Sequence, residues 1–420
     1  MNATLRPSVG APDVSPGSRS VGVICDFADE NWPSMDWAAE LLLRTADGNR
    51  FTANAIAPVM RRRLSRLPGM RGSRRAFNLD RLLARYRDYP PWLRAQNYRL
   101  DLFHIADHSY AHLALALPAE RTIVTCHDVV AFLPLLGEGY STAMPLRLIR
   151  QTLRGLQAAA RVICDSASTR DALLAHHWIA PERAAVVPLA IPEDFTAHNR
   201  PRDAELLREF LPSGEDFLLH VGSTIPRKRI DLLLRIFAAA RDCYPGIRLV
   251  RVGGPLTHEQ QQLAHELGVA DAVVSLPPIE RSALAAVYRA AAILLLPSES
   301  EGFGLPIAEA MACGTPVVAS DIPVLHEIGG DAARYCPLDD VAPWLAAISH
   351  ILGLRRQRPQ EFEALRQRGI EQASKFQIDE YGAAVRGVYE SVLAQVTGVQ
   401  EASPAMVNSA EFSSPPIEAK

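Results

Sequence analysis

The 420-residue sequence predicts an α/β protein built as two doubly wound parallel-sheet domains that face each other across a cleft. Three observations predict it. Short β-rich runs alternate with helical patterns along most of the chain. The alternation pauses once, over Ile191 to Asp203, where Pro192, Asn199, Pro201 and charged residues replace it. The length suits two domains of roughly 150 residues each, with tails.

In order, the first series of strands is read at Val21 to Asp26, Leu102 to Ile105, Thr122 to Cys126, Val162 to Cys164 and Ala185 to Leu189. Amphipathic stretches separate most of them, as helices that wind a parallel sheet would. The second series is Phe217 to Val221, Leu249 to Val252, Ala272 to Leu276, Ile293 to Leu296 and Val317 to Ala319. Residues 19–195 and 196–376 are expected to form the two Rossmann-like domains. A helix within 377–397 is expected to pack back on the first domain, and 1–18 and 398–420, rich in Pro, Ser and Gly, read as disordered tails.

Hydrophobic residues at 48% and charged residues at 22% leave ample apolar material for two cores. A net charge of -3 gives no reason to expect nucleic acid. The six cysteines include no C-x-x-C and no zinc-like spacing, so they read as reduced thiols. The first twenty residues lack the apolar stretch of a signal peptide, and no run approaches the ~20 apolar residues of a membrane span. A cytoplasmic location is the expectation.

The chemistry concentrates in Pro297-Ser-Glu-Ser-Glu301-Gly-Phe-Gly-Leu-Pro-Ile-Ala-Glu309. It begins where an apolar strand ends. Gly302 and Gly304 let backbone N–H groups approach a ligand, and Pro306 suits the first turn of a helix. That helix would aim unpaired N–H groups and its positive dipole end at the loop, a site for an anion. Glu301 and Glu309 flank the loop and are suited to accept hydrogen bonds from hydroxyls. Gly222-Ser223-Thr-Ile-Pro-Arg227-Lys228-Arg229 follows another strand of the same half and could bring two cations to a diphosphate. Taken singly, these acids and bases also fit solvated helix ends; their coincidence in one half favours a site.

The combination resembles the retaining GT-B glycosyltransferases of family 4 (glycosyl transferases group 1), of the kind that builds bacterial lipopolysaccharide and exopolysaccharide. The matching motifs are EGFGLP at Glu301 to Pro306, E-x7-E at Glu301 with Glu309, and PRK followed by Arg at Pro226 to Arg229. The first half matches more loosely, through Thr125-Cys-His127-Asp128 and Cys164-Asp-Ser166-Ala-Ser168-Thr-Arg170. By this resemblance Glu309 would hold the ribose hydroxyls and Glu301 the donor-sugar hydroxyls, with the backbone from Gly302 and Phe303 through Gly304 to Leu305 on the sugar and distal phosphate. Gly222 and Ser223 would border the diphosphate, which Arg227 and Lys228 would neutralise. His127 would face the reaction centre from the acceptor side, with a buried structural histidine as the other reading. The resemblance implies a nucleotide-diphosphate hexose, mannose or glucose type, as donor and a glycan or polyprenyl-linked acceptor, without a covalent enzyme intermediate.

Two departures stand out. Ser223 occupies the place where many relatives carry Arg, and Asn31-Trp-Pro-Ser-Met-Asp36 replaces the usual Gly-Gly loop after strand one. No D-x-D motif occurs, so no metal and no cofactor are expected, and Arg227 and Lys228 would take the metal's place. A nicotinamide dehydrogenase is disfavoured because no G-x-G-x-x-G opens a helix after either first strand. No free-phosphate site supports phosphorolysis. A non-catalytic nucleotide-sugar-binding protein on the same scaffold remains the alternative. Finally, Arg61 to Arg99 holds twelve arginines and only two acids, Asp80 and Asp88, interleaved with apolar and aromatic residues. It reads either as a packed arginine-rich helix and loop or as a peripheral contact with an anionic membrane at the inner face.

Overall fold

The computed structural model describes residues 17–46, 50–139, 144–210 and 216–398. The expected tails lie outside these residues apart from 17–18 and 398. Among the described residues twelve strands form two parallel sheets of six. The first contains β1 (Arg19–Ile24), β2 (Phe51–Ile56), β3 (Leu102–Ile105), β4 (Thr122–Cys126), β5 (Arg161–Cys164) and β6 (Ala184–Val186), in the order β2-β1-β3-β4-β5-β6. The second contains β7 (Phe217–Val221), β8 (Arg248–Val252), β9 (Val273–Leu276), β10 (Ile293–Leu296), β11 (Val317–Ser320) and β12 (Ala333–Cys336), in the order β12-β11-β10-β7-β8-β9. This is the two-domain GT-B architecture.

The strand order explains the sequence pattern. In the middle of the second sheet every residue of β10 is buried, as expected for a parallel strand covered by helices on both faces. Two strands that the apolar runs did not announce, β2 and β12, lie at sheet edges. An edge strand has one neighbour and half-exposed positions, so Phe51-Thr-Ala-Asn-Ala-Ile56 and Ala333-Arg-Tyr-Cys336 lack a continuous apolar run. β6 is shorter than read, ending at Val186.

The chain crosses between domains at two adjacent places, where the Ile191 N–H donates to the Phe376 carbonyl at 3.0 Å. Helix Ile378–Thr397 then lies on the first domain. Its Tyr389 hydroxyl pairs with His104 Nδ1 on β3 at 2.8 Å, and Arg386 donates to the Thr45 carbonyl. Across the joint, Arg281 of the second domain stacks 4.5 Å above the Trp37 ring and donates to Glu40 at 2.9 Å.

The arginine-rich stretch is not one uniform basic face. Arg85 is buried on Glu30 and Arg81 approaches the same carboxylate, while Arg63 grips Asp88 with both nitrogens and Arg62 pairs with Asp29. Buried Asp80 accepts from the N–H groups of Leu64 and Ser65 at 2.8 and 2.9 Å and so anchors the turn before helix Arg74–Leu83. Of the exposed arginines, Arg61, Arg66, Arg71, Arg74 and Arg75 lie along the chain beside exposed Leu67, Met70 and Leu79, while Arg87, Arg94 and Arg99 are exposed further along.

Candidate donor site

In the second sheet the strand order reverses between β7 and β10, and ligands bind open parallel sheets beyond the carboxyl ends of strands at such a switch point. The loops after these two strands therefore meet. After β7 the chain passes Gly222 and Ser223, makes one tight turn over Pro226–Lys228, and enters helix Ile230–Cys243 through Arg229 in a left-handed conformation. After β10 it passes Glu301 and Gly302 and enters helix Leu305–Ala312 through Gly304, at φ 92°, with Pro306 in the first turn. The Glu299 N–H donates to the Arg227 carbonyl at 2.8 Å, which ties the two loops together.

Glu301 is the centre of this junction. Lys228 Nζ stands 2.5 Å from Glu301 Oε1 and Arg227 stands 3.4 Å from Oε2, while Arg227 also donates to the Ser300 carbonyl at 2.8 Å. Burial alone would raise the Glu301 pKa, but Lys228 and Arg227 outweigh it and hold the carboxyl below its ordinary value. The expected sugar-binding acid thus sits in a buried ion pair with both expected phosphate cations. Asp128 from the first domain lies 3.8 Å from Arg227 and reaches the same group from across the cleft.

Glu309, on the helix, is equally secluded. Burial pushes its carboxyl up to about 7, countered in part by the Tyr288 hydroxyl, which donates at 2.9 Å, and by Arg281. Phe303 turns its side chain inward, edge-on to Phe376 at 5.4 Å, so this residue can offer a ligand only its backbone. Leu305 is half-buried at the helix start.

Gly302 is where the domains touch. A Cβ there would stand 1.9 Å from the His127 carbonyl oxygen, so only glycine allows this approach. The Gly302 carbonyl accepts from Ser166 Oγ at 2.8 Å and from Thr169 Oγ1 at 3.3 Å. Ser166 caps helix Ala167–Ala175, and Glu327 of the second domain accepts from the next two N–H groups, Ala167 and Ser168, at 2.7 and 3.1 Å.

His127 meets the site through its backbone rather than its ring. Nδ1 is 2.5 Å from Asp165 and Nε2 is 2.8 Å from the Ala106 carbonyl, so both nitrogens donate and the ring is an imidazolium. Burial would lower its pKa, but Asp165 reverses this and holds it at about 10. Such a ring supplies fixed positive charge and no base. Sequence reasoning did not assign Asp165, Tyr288, Arg281 or Glu327. Only Asp165, inside the quoted Cys164-Asp-Ser166 stretch, had a visible signal. Among the described residues no group of His, Cys, Asp and Glu is arranged to hold a metal ion.

The model of the glycosyl transferases group 1 matches residues 202–360, and that of glycosyltransferase family 4 matches residues 36–195. The chain is 35% identical over 250 residues to the D-inositol 3-phosphate glycosyltransferase of Mycolicibacterium smegmatis, covering 57% of this chain and 55% of that one. It is 34% identical over 254 residues to the enzyme of the same name from Acidothermus cellulolyticus, covering 57% and 54%. It thus spans about half the length of the curated relatives it matches. Among solved structures, sucrose-phosphate synthase from Thermosynechococcus elongatus superposes with a TM-score of 0.68 at 19% identity, over 90% of this chain and all of that one. Anabaena Alr3699/HepE in complex with UDP-glucose superposes with a TM-score of 0.63 at 16% identity, over 89% and 100%. WaaG, a glycosyltransferase involved in lipopolysaccharide biosynthesis, superposes with a TM-score of 0.60 at 16% identity, over 90% and 100%. With two family models that match the two halves in turn and a strand order that matches the fold, the chain belongs to the glycosyl transferases group 1, family 4.

Proposed function

We propose that this protein transfers a hexose, with retention at the anomeric carbon, from a nucleotide-diphosphate sugar to a glycan or lipid-linked acceptor in surface polysaccharide synthesis, without a metal ion. The observation that carries this reading is the junction of Arg227, Lys228 and Glu301 at the mouth of helix Leu305–Ala312, with Glu309 behind it. A departing diphosphate needs fixed positive charge and N–H donors where its charge grows, and this junction supplies both. Anabaena HepE, superposed above in its UDP-glucose complex, also has a structure in complex with UDP, which makes uridine donors the first to test, with GDP-mannose next.

The test is a panel of nucleotide sugars by thermal shift, followed by transfer and donor hydrolysis with and without EDTA. A donor at a hundred times its Kd stabilises the fold by about 2.7 kcal/mol. Turnover that survives EDTA supports the reading, and a strict magnesium or manganese requirement overturns the metal-free mechanism. Binding with no turnover on any acceptor, and no hydrolysis, would instead identify a non-catalytic nucleotide-sugar-binding protein.

Glu309 gives a pH signature. Its neutral form persists up to about pH 7 in the free protein, while two ribose hydroxyls call for the ionised form as acceptor. Donor KM should therefore rise as pH falls below about 7, by roughly tenfold per unit at the limit. Glu309→Gln should raise KM at pH 8 and flatten that profile while changing kcat less. A pH-independent donor KM in the wild type would remove Glu309 from the ribose contact.

The outward arginines, with Leu67, Met70 and Leu79, are proposed to rest on an anionic leaflet and bring the cleft to a lipid-linked acceptor. Among the described residues no helix is long and apolar enough to cross a membrane. Basic residues near such a surface contribute about 1 kcal/mol each. The protein should pellet with phosphatidylglycerol vesicles and not with phosphatidylcholine vesicles, less so in high salt. It should pellet less when Arg61, Arg66, Arg71, Arg74 and Arg75 become Ser. Equal pelleting of both proteins, or of neither, would leave this face without a membrane role.

A further inference from the structure

Arg251, the last residue but one of β8, is among the largest fully buried side chains of the described residues. An arginine inside a sheet ordinarily lies against a carboxylate, because an unpaired buried charge is costly. This one does not. Its guanidinium donates only to two carbonyls, those of Gly222 and Gly254, at 3.3 Å each, and its Nε has no partner. The neighbouring His220 is wholly buried, neither of its ring nitrogens has a partner, and burial together with Arg251 and Lys228 keeps it neutral. Burial lowers the Arg251 pKa only to about 10, so the group stays charged near neutrality.

The carbonyls it holds belong to the loops that frame the candidate donor site. Gly222 ends β7 and leads to Ser223 and the Arg227–Lys228 turn, and Gly253 packs so closely on the Gly222 carbonyl that a Cβ would lie 2.3 Å from it. In a trans peptide the C=O and the following N–H point in opposite directions. With the Gly222 oxygen drawn inward by Arg251, the Ser223 N–H points away from the sheet interior. The charges of the junction make the second half of the argument. Arg227 and Lys228 are matched by Glu301, with Asp128 beside Arg227, before any ligand arrives. Among the described residues Arg251, next to this junction, is a buried cation with no carboxylate on it.

We propose that Arg251 is a positioning residue for the donor diphosphate, aiming the Gly222–Ser223 peptide and supplying from below the unmatched positive charge that Ser223 lacks. This rests on the donor reading above. A buried cation acts on a nearby anion through a medium that screens it far less than water does. In the free protein the same charge is only a burden, so its removal should not weaken the fold.

The experiment titrates the full chain with inorganic pyrophosphate, which is indifferent to the base, and with whichever of UDP and GDP the wild type binds, against its monophosphate. Arg251→Gln keeps an N–H donor and loses the charge, Arg251→Met loses both, and Arg251→Lys keeps the charge. The Gln and Met variants should melt no lower than wild type, bind pyrophosphate and the diphosphate at least tenfold more weakly, and bind the monophosphate within about threefold. The Met variant should be the weaker of the two, and Arg251→Lys should bind pyrophosphate better than either. Wild-type affinity for pyrophosphate in both variants, an equal loss for the monophosphate, or a marked fall in melting temperature in both would overturn the inference. A wild type that binds pyrophosphate and a diphosphate, and loses both on Arg227→Ala, upholds the donor reading whatever Arg251 does. A wild type that binds neither sinks both.

Discussion

Asp165→Ala is expected to cost the first domain about 3–5 kcal/mol, the range for removing one partner of a buried ion pair. At roughly 2–4 °C per kcal/mol for a domain of this size, its melting temperature should fall by roughly 6–20 °C. The reason is local: His127 donates from both nitrogens, and among the described residues Asp165 is the only acid bonded to its ring. The pH dependence has a definite sign. The folded pKa of His127 lies at about 10, above the 6.5 of the free side chain. Its stabilisation is therefore complete below pH 6.5 and is lost as pH rises through about 10. The gap between wild type and Asp165→Ala should be widest near pH 6 and narrow toward pH 10. Melts over that range check it, and a constant gap would show that the pair is not held together by charge.

The second large effect concerns catalysis. Replacing Arg227 and Lys228 together with Ala should lower kcat by at least 100- to 1000-fold, since one lost donor to a developing anion costs about 2.7–4 kcal/mol. A complication follows from the geometry: Glu301 is buried and both its oxygens face these cations, so the double variant strands a carboxylate. Stability should drop as well. Adding Glu301→Gln separates the two effects, because it removes the stranded charge without restoring the cations. The triple variant should recover much of the melting temperature and none of the kcat. If the double variant keeps kcat within tenfold of wild type, neither cation steadies the leaving group.

The sequence made some features legible and hid others, for physical reasons. Strands buried on both faces, such as Ile293–Leu296, must be apolar throughout and so announce themselves, and the glycine loop with its two acids has a fixed spacing because one helix turn sets it. The edge strands Phe51–Ile56 and Ala333–Cys336 carry no such requirement. Pairings across long separations were also hidden. Nothing in the neighbourhood of Glu309 points to Tyr288, and nothing near Ser166 points to Glu327, because sheet topology alone brings them together. His127 was legible with two readings, a ring at the reaction centre or a buried structural histidine. Position at a strand end does not choose between them; the partners Asp165 and Ala106, distant in sequence, hold both nitrogens. Arg251 had a signal of its own, an arginine set between Val250 and Val252 toward the end of the strand, past the Arg248 that opens it.

The contact at Gly302 bears on time as well as on shape. The peptide at the turn of the candidate donor loop is also the one the first domain grips, through Ser166, Thr169 and the His127 backbone, while Glu327 fastens the helix beside it. On the donor reading proposed above, release of a nucleoside diphosphate would need these bonds to part together, so turnover should slow as solvent viscosity rises even where the chemistry is fast.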